Sequence, residues 1–290
     1  MILISIVFFF ISIASVGGIP LLKPSIRYLL KPIFTMPVFL IIPGTCLVAS
    51  SYLKDFQDEK ITRSQARFRF LFLLAIDCAF LLLLGYRTPL LAAFLIIIII
   101  GFYGNIVSLW EVVIGGLVGI GAIIGIGYMR SIGEYTVSTA IDPFYTLKSR
   151  ADFTLHVLNL LDFIGGNFGV THGKLLASSI PGSELGPRMM IGKLIAWRTE
   201  VTVTPTLIGQ MVADFGKFGV AEMCLLGFIL GIGFKIVRKT KDYFYIGLYS
   251  LILTYSILGV ETGILDIQVL FYFAVAIFIY ITLILKSQFN

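Results

Sequence analysis

Charged residues are scarce in this chain of 290 residues. Asp, Glu, Lys and Arg together make up 13% of it, whereas a typical soluble domain carries about 25%. Hydrophobic residues make up 58%, and the mean hydropathy is +0.99. Uncharged apolar runs at residues 90–100 and 269–285 belong to segments long enough for membrane helices of roughly 20 residues. The scarcity of charge excludes an ordinary soluble domain and indicates a membrane protein.

Cysteine and the common catalytic motifs are also scarce. The three cysteines, Cys46, Cys78 and Cys224, lie in apolar segments and show no Cys-x-x-Cys spacing, which excludes a disulfide framework or a zinc site of that kind. The chain has no P-loop, H-E-x-x-H, D-x-D or G-x-S-x-G motif. We therefore expect no cofactor and no metal, and an enzyme of this kind needs a substrate that is already activated.

The apolar runs are continuous and do not alternate with a period of two, so they predict helices and not the strands of a membrane β-barrel. The predicted fold class is all-α, a polytopic transmembrane helix bundle with a large, partly helical extracytoplasmic loop between spans 5 and 6. Eight spans are expected, at residues 1–18, 33–52, 70–86, 89–105, 109–128, 218–236, 243–260 and 266–285.

These spans divide the chain into three parts of one membrane domain. Residues 1–128 form the N-terminal transmembrane helices, 129–217 the extracytoplasmic loop, and 218–290 the C-terminal transmembrane helices. The loop contains eight basic and seven acidic residues and both histidines. Apolar residues between Val157 and Ile164 follow the i, i+3, i+4, i+7 spacing of an amphipathic helix, which is expected to end at Gly165. A second helical piece is expected from Arg188 to Trp197.

The distribution of Lys and Arg predicts the orientation. With a cytoplasmic N-terminus, ten basic residues fall on the cytoplasmic side and four on the opposite side, leaving out the long loop. Both termini are then cytoplasmic and the loop is extracytoplasmic. Because the positive charge clusters beside apolar segments, it is typical of membrane topology, and we expect no nucleic acid partner.

Several arginines are candidates for binding an anion. Arg87 lies in residues 85–89 (GYRTP), a short link between two apolar segments, where a guanidinium is costly unless it reaches the lipid headgroups or an anion. Arg188 follows a Gly-Pro turn at the expected start of a helix, a position that favours anions. The loop adds Arg130, Arg150 and Arg198. For Arg87 the alternative is an interfacial anchor that reaches the lipid headgroups, and for each of the loop arginines it is a salt bridge on the surface.

Acid–base chemistry has three candidates, ranked His172, Glu200 and Asp214. His172 lies in residues 171–174 (THGK), where a histidine can titrate near neutral pH. A structural role is equally compatible with its position. Thr204 and Thr206 are candidates for hydrogen bonds to a sugar or a phosphate.

The most specific stretch is residues 204–232, which begins TPTLIGQMVADFGKFG and continues into an apolar run with spaced glycines. It resembles the T-P-[ST]-x-x-G … FG-x-x-G pattern of the oligosaccharide repeat-unit polymerase (O-antigen polymerase) family. Residues 85–89 are similar to the family's G-x-R turn between two spans, and Gly186-Pro187-Arg188 lies where members often carry an arginine. The resemblance extends from about residue 65 onward.

The resemblance implies an all-helical, multi-pass glycosyltransferase of the cytoplasmic membrane. Such enzymes polymerise oligosaccharide repeat units on polyprenyl diphosphate at the outer face, during surface polysaccharide synthesis. Arg87, Arg130, Arg150, Arg188 and Arg198 would bind the diphosphate, and His172, Glu200 or Asp214 would assist the acceptor hydroxyl. The implied partners are the lipid-linked donor and acceptor, membrane lipid, and a flippase or chain-length regulator.

Three other functions remain open at this point. A glycan ligase would transfer finished glycan to a different acceptor. A transporter or flippase of a lipid-linked or anionic substrate would use charged residues within spans, where Asp77, Glu111 and Glu222 lie. A noncatalytic scaffold would bind a partner protein through the loop.

Overall fold

The computed structural model describes residues 1–23, 26, 29–134, 143–180, 183, 185–196, 202–264, 266, 268–275 and 278. Regular structure in this part of the chain is helical throughout. The helices are α1 (Ile2–Val16), α2 (Pro32–Val38), α3 (Ile41–Gln57), α4 (Arg63–Leu83), α5 (Arg87–Tyr103), α6 (Leu109–Glu134), α7 (Pro143–Gly165), α8 (Lys174–Ser178), α9 (Pro187–Ala196), α10 (Thr206–Phe215), α11 (Gly219–Thr240) and α12 (Tyr243–Thr262). The all-α fold class is confirmed for these residues.

The helices form two compact units, each described by itself. Unit 1 comprises Met1–Lys148 and Lys235–Leu251, and unit 2 comprises Ser149–Phe234 and Ile252–Asn290. In unit 1, α3, α4 and α5 pack against one another, while α1 packs on α2 and α6 on α5. The apolar side chains between these helices, such as Ile42, Leu81 and Ile96, are fully buried.

Local sequence signals mark both ends of α4, a capping box at its start and a glycine after its end. The Thr62 side chain accepts a hydrogen bond from the Gln65 backbone, and the Gln65 side chain accepts one from the Thr62 backbone, which forms a capping box. The other end of α4 lies near Gly85, whose φ of 73° is a conformation that glycine adopts without strain. Arg87 then begins α5, as the predicted link between two spans requires.

Three helical segments are long and apolar enough to cross a membrane, judged by length and composition among the described residues. They are Pro32–Gln57, Thr206–Thr240 and Tyr243–Thr262, and the shorter apolar helices are Ile2–Val16, Arg87–Tyr103 and Leu109–Ala122. The count of eight spans therefore stays a prediction. Much of the expected span at 266–285 lies outside the described residues.

The expected span at 33–52 consists of two helices, α2 and α3. The interruption at Phe39 and Leu40 has a physical cause, because Pro43 has no backbone N–H to donate to the Phe39 carbonyl. The neighbouring Gly44 N–H donates to the Leu40 carbonyl at 3.0 Å, so α3 starts in a regular manner. Pro37 and Pro43 both weaken this span as a straight helix, and the structure divides it between α2 and α3.

Unit 2 contains most of the predicted loop. Helix α7 ends at Gly165, as expected, because Gly166 adopts a φ of 54°. Helix α9 begins at Pro187, close to the predicted start of the second helical piece. The core of the unit is an apolar cluster of side chains from several elements: Val157, Leu161, Leu175, Ile191, Val203 and Ala213. The predicted amphipathic stripe of α7 therefore supplies Val157 and Leu161 to this core.

Candidate functional site

A fully buried carboxylate, Asp214 on α10, holds the short helix α8 in unit 2. One of its oxygens accepts a hydrogen bond from the backbone N–H of Leu175 at 3.0 Å, and the other accepts from the backbone N–H of Leu176 at 2.8 Å. The Thr171 hydroxyl donates to the first oxygen. Because the first N–H groups of a helix have no partner within the helix, Asp214 satisfies the start of α8 from another element.

These contacts bear on the acid–base role predicted for Asp214. Its carboxylate accepts three hydrogen bonds and has no solvent exposure. A proton on either oxygen would compete with the backbone N–H group that the oxygen accepts from, and a buried donor left unsatisfied costs about 1–3 kcal/mol. The geometry favours a positioning role, and proton transfer by Asp214 stays a prediction.

Two glycines allow the chain after α7 to contact the end of α10. A Cβ atom on Gly169 (φ 78°) would lie 2.3 Å from the Asp214 carbonyl, and one on Gly216 (φ 58°) would lie 2.5 Å from the Asn167 carbonyl carbon. The Lys217 N–H donates to the Asn167 carbonyl at 3.2 Å. This backbone contact explains the first glycine of the FG-x-x-G pattern, because no other residue fits there.

The threonines of the TPT segment precede and begin α10. Thr206 is buried and has a φ of 64°, which is unusual for a β-branched residue. Its hydroxyl accepts a hydrogen bond from the Gly209 N–H at 3.1 Å, so it caps the first turn of the helix. Thr204 lies in the preceding non-helical segment and is partly exposed. Contact of either threonine with a sugar or phosphate stays a prediction.

Arg188 in α9 forms an ion pair with Asp266, which lies beyond α12. Its Nη2 atom is 3.0 Å from the Asp266 Oδ2 atom, and both side chains are mostly buried. The Nε atom of Arg188 is also buried, and it has no hydrogen-bond partner among the described residues. An unsatisfied buried donor is unfavourable, and a bound anion would satisfy it.

The segment of residues 261–266 meets three elements of the predicted loop. Arg150 of α7 forms an ion pair with Glu261, and Arg188 forms the pair with Asp266 described above. Between the two acids lies Gly263 (φ 79°), where a Cβ atom would lie 2.4 Å from the Gln210 side-chain oxygen of α10. Two of the five arginines proposed from the sequence therefore bind to one short segment.

Four residues of this region were not among the candidates predicted from the sequence: Tyr255, Glu261, Asp266 and Tyr272. The rings of Tyr255 and Tyr272 lie 5.5 Å apart, and both side chains are buried near the charge of Asp266. A tyrosine in an apolar run is typical of helix packing, so its pattern gave no functional signal. A signal was available for Asp266, because an acid at the beginning of an apolar segment needs a partner.

A cavity of about 650 Å³ lies beside α8 and α9 in unit 2. Its lining residues are Thr171, Lys174, Ala177, Ser178, Ser183, Leu185, Met190, Lys193 and Leu194. This volume is typical of sites that bind small molecules, about 300–1,000 Å³. Among the described residues that line it, two are lysines and none is an acid.

The remaining predicted residues are less defined or lie elsewhere. His172 is exposed and adopts a φ of 49°. Arg87 belongs to unit 1, where it is partly buried and has a partner. Arg130 lies on α6, and the structure describes its backbone but not its side chain. Arg198 and Glu200 lie outside the described residues. Convergence of all five arginines stays a prediction.

Metal ligands are not grouped in the part of the chain that the structure describes. No three residues of the types His, Cys, Asp and Glu lie together there in a way that could hold an ion. Two carboxylates of unit 2, Glu261 and Asp266, instead pair with arginines.

The apolar helical segments and the polar contacts of unit 2 define the class of protein, an all-helical membrane protein. The profile of the family described as "Putative O-antigen polymerase" matches residues 1–273. The chain belongs to this family. The match begins at residue 1, so it extends beyond the region after residue 65 in which the motifs were recognised.

A related protein and the solved structures complete the comparison. The chain is 28% identical over 280 residues to the uncharacterized protein MJ0419 of Methanocaldococcus jannaschii. The alignment covers 94% of this chain and 73% of that protein. No solved structure gives a significant match. The family therefore indicates a membrane glycan polymerase that uses lipid-linked glycan substrates.

Proposed function

We propose that this protein polymerises oligosaccharide repeat units carried on polyprenyl diphosphate, at the outer face of the cytoplasmic membrane. The family match over residues 1–273 supports this proposal. The apolar helical segments are compatible with a multi-pass protein. Both termini are proposed to be cytoplasmic, with the loop of unit 2 on the outside.

The proposed reaction transfers the growing glycan to the next repeat unit. The oxygen of an acceptor sugar hydroxyl bonds to the anomeric carbon of the donor glycan, and the bond from that carbon to the diphosphate breaks. Polyprenyl diphosphate leaves with the bonding electron pair, and the acceptor hydroxyl loses its proton to a base. The diphosphate activates the donor, so the reaction needs no nucleotide and no cofactor.

The arginines are proposed to bind the diphosphate and stabilise its charge as it leaves. The observation that carries this step is the buried Nε of Arg188, which has no partner among the described residues and can donate to a phosphate oxygen. Asp266 orients the same guanidinium through Nη2. Arg150 is oriented by Glu261 in a similar way, and Arg87, Arg130 and Arg198 are further candidates.

His172 is the preferred base for the acceptor hydroxyl. It is exposed, and its imidazole makes no hydrogen bond or ion pair among the described residues. An imidazole nitrogen can accept a proton from a hydroxyl group, which suits general-base catalysis. Glu200 is the second candidate, and Asp214 is proposed to position the chain near His172 through Thr171 and α8.

Exposed aromatic side chains support a location of this loop at the membrane surface. Phe168 and Phe218 stack with their ring centroids 5.9 Å apart, although both side chains are largely exposed. Phe163 is also highly exposed. Apolar groups left open in this way are typical of surfaces that contact lipid or a partner. A flippase or a chain-length regulator is a proposed partner of the assembled system.

Glycan length tests the proposal directly. Proteoliposomes containing the full chain are supplied with lipid-linked repeat units, and the products are separated on a gel. The native protein is expected to produce a ladder, whereas Arg188→Ala and Arg87→Ala are expected to slow its formation roughly hundredfold, because each removes a cation at the leaving group. Arg238→Ala, at an exposed position outside the proposed site, is the control and should retain the ladder.

The same assay separates the alternatives. A ligase would move finished glycan to a new acceptor without lengthening it. A flippase would change the membrane face of single units, and Asp77, buried within α4, is the residue that such a function would use. Either result, or a full ladder in both arginine variants at matched protein levels, would contradict the proposed reaction or its site.

A further inference from the structure

The described residues that line the cavity beside α8 and α9 include none of the arginines and carboxylates that pair at Glu261 and Asp266. Its lining combines two lysines, three hydroxyl-bearing residues and an apolar wall of Leu185, Met190 and Leu194. Neither Lys174 nor Lys193 has an ion pair or side-chain hydrogen bond among the described residues. Two ammonium groups beside one concave surface create a local positive potential that attracts an anion.

The hydroxyl groups of the cavity each donate their proton to another group of the protein. The Ser178 hydroxyl donates to the Leu175 carbonyl at 2.8 Å, and the Ser183 hydroxyl donates to the Ser178 carbonyl at 2.7 Å. The Thr171 hydroxyl donates to Asp214. Since a hydroxyl has one proton to donate and two lone pairs, these groups act as acceptors toward a ligand. Acceptors are suited to the hydroxyl groups of a sugar.

The apolar wall adds a third requirement on the ligand. Met190 and Leu194 lie one helical turn apart on α9, and Leu185 precedes that helix. Such a surface suits the C–H face of a sugar ring, while the lysines donate hydrogen bonds to an oxyanion. A phosphate ion alone would use only the lysines.

We infer that this cavity binds an anionic saccharide, a sugar ring that carries a carboxylate or phosphate group. The oxyanion lies between Lys174 and Lys193, and the sugar hydroxyls donate to the serine and threonine oxygens. The inference rests on the proposed function in one respect, because such a sugar would belong to the lipid-linked glycan. It adds selectivity for acidic repeat units to that function.

Binding of soluble sugars tests this site without polymerisation. The full chain in detergent micelles is titrated calorimetrically with glucuronate, glucose 6-phosphate, glucose and inorganic phosphate. Both anionic sugars are expected to bind at least about tenfold more tightly than glucose or phosphate, because only they engage lysines and hydroxyls together. The double variant Lys174→Gln/Lys193→Gln should weaken their binding about tenfold or more.

Two further variants separate loss of the site from loss of the fold. Ala177→Trp fills the cavity from an exposed position and should abolish binding while both lysines remain. Lys217→Gln removes an exposed lysine of the same unit that does not line the cavity, and it should bind as the native chain does. The melting temperature of each variant is measured in parallel to confirm that it is folded.

The outcomes distinguish this inference from the proposed function. Binding that requires the lysines supports the cavity site even if no glycan ladder forms, and a ladder without such binding supports only the polymerase. Equal binding by the native chain and the lysine variants would overturn the inference. Binding restricted to inorganic phosphate, or to vesicles containing phosphatidic acid, would overturn it as well, because the sugar is then not recognised.

Discussion

Each of the two units contains a fully buried aspartate, and the two carboxylates have different surroundings. In unit 1, Asp77 accepts one hydrogen bond, from the Thr45 hydroxyl at 2.8 Å, and its other oxygen has no partner among the described residues. In unit 2, Asp214 accepts from one hydroxyl and two backbone N–H groups. Asp77 links α3 and α4, whereas Asp214 holds the segment that precedes and begins α8, whose residues form few backbone hydrogen bonds with one another.

This difference shows where each region obtains its order. The helices of unit 1 satisfy their own backbone groups and pack through apolar side chains, so a single polar contact adds little. The chain from Gly165 to α8 is short of internal hydrogen bonds, and it depends on α10 for both polar contacts and close backbone packing. Substitutions in the two regions should therefore differ in their effects on stability.

The largest effect is expected for Gly169→Ala in unit 2. The new Cβ atom would overlap the Asp214 carbonyl, and the residue would keep a φ of 78° that alanine disfavours. We expect a loss of roughly 3 kcal/mol or more in the free energy of unfolding. Denaturant unfolding in detergent micelles measures it. Gly116→Ala in α6 is the matched control, because no atom lies within 4 Å of its Cβ position. Similar losses in both variants would remove the distinction between the regions.

A smaller effect is expected for Asp214→Asn. The amide would place an NH₂ group against a backbone N–H of α8, so one buried donor loses its acceptor. The expected loss is about 2 kcal/mol in the free energy of unfolding. Limited proteolysis should also cleave the chain between Gly165 and Ser178 more rapidly than in the native protein. Unchanged stability would show that Asp214 does not anchor α8.

The smallest effect is expected for Asp77→Asn in unit 1. The amide oxygen can still accept from the Thr45 hydroxyl, and no backbone group depends on the side chain. We expect a change of less than about 1 kcal/mol in the free energy of unfolding, measured in the same way. A loss as large as that of Asp214→Asn would mean that unit 1 also depends on its buried carboxylate.

The sequence predicted the helices and their ends better than it predicted the contacts between them. The apolar runs at 70–86 and 89–105 correspond to α4 and α5, and the break between them falls at residues 84–86, where Gly85 adopts a φ of 73°. The end of α7 at Gly165 was predicted for the same reason. Pro89 lies in the first turn of α5, where no hydrogen bond depends on its missing N–H. The interruption between α2 and α3 also follows from a local signal, because Pro43 cannot donate a backbone hydrogen bond.

The sequence predicted which types of residue form the candidate site, but it did not predict which arginine pairs with which carboxylate. Arg150 and Arg188 were selected because arginine binds anions, and salt bridges within the loop were the alternative considered. Their partners, Glu261 and Asp266, instead lie beyond the loop, near the end of α12. Local patterns carry no information on contacts between residues so distant in sequence, and the same reason applies to the contacts of Asp214 with α8.

The sequence by itself determined that this is a helical membrane protein with a polar, arginine-containing loop between two groups of apolar segments. Hydropathy and helix-ending residues are local properties, and each follows from the cost of exposing apolar or unpaired backbone groups. Only the tertiary structure decided which groups in the loop are held and which are available. Asp214 became an anchor, two arginines gained carboxylate partners, and Lys174 and Lys193 came to line one cavity. These arrangements depend on side chains brought together by folding, because hydrogen bonds and charge pairs act only over a few ångströms.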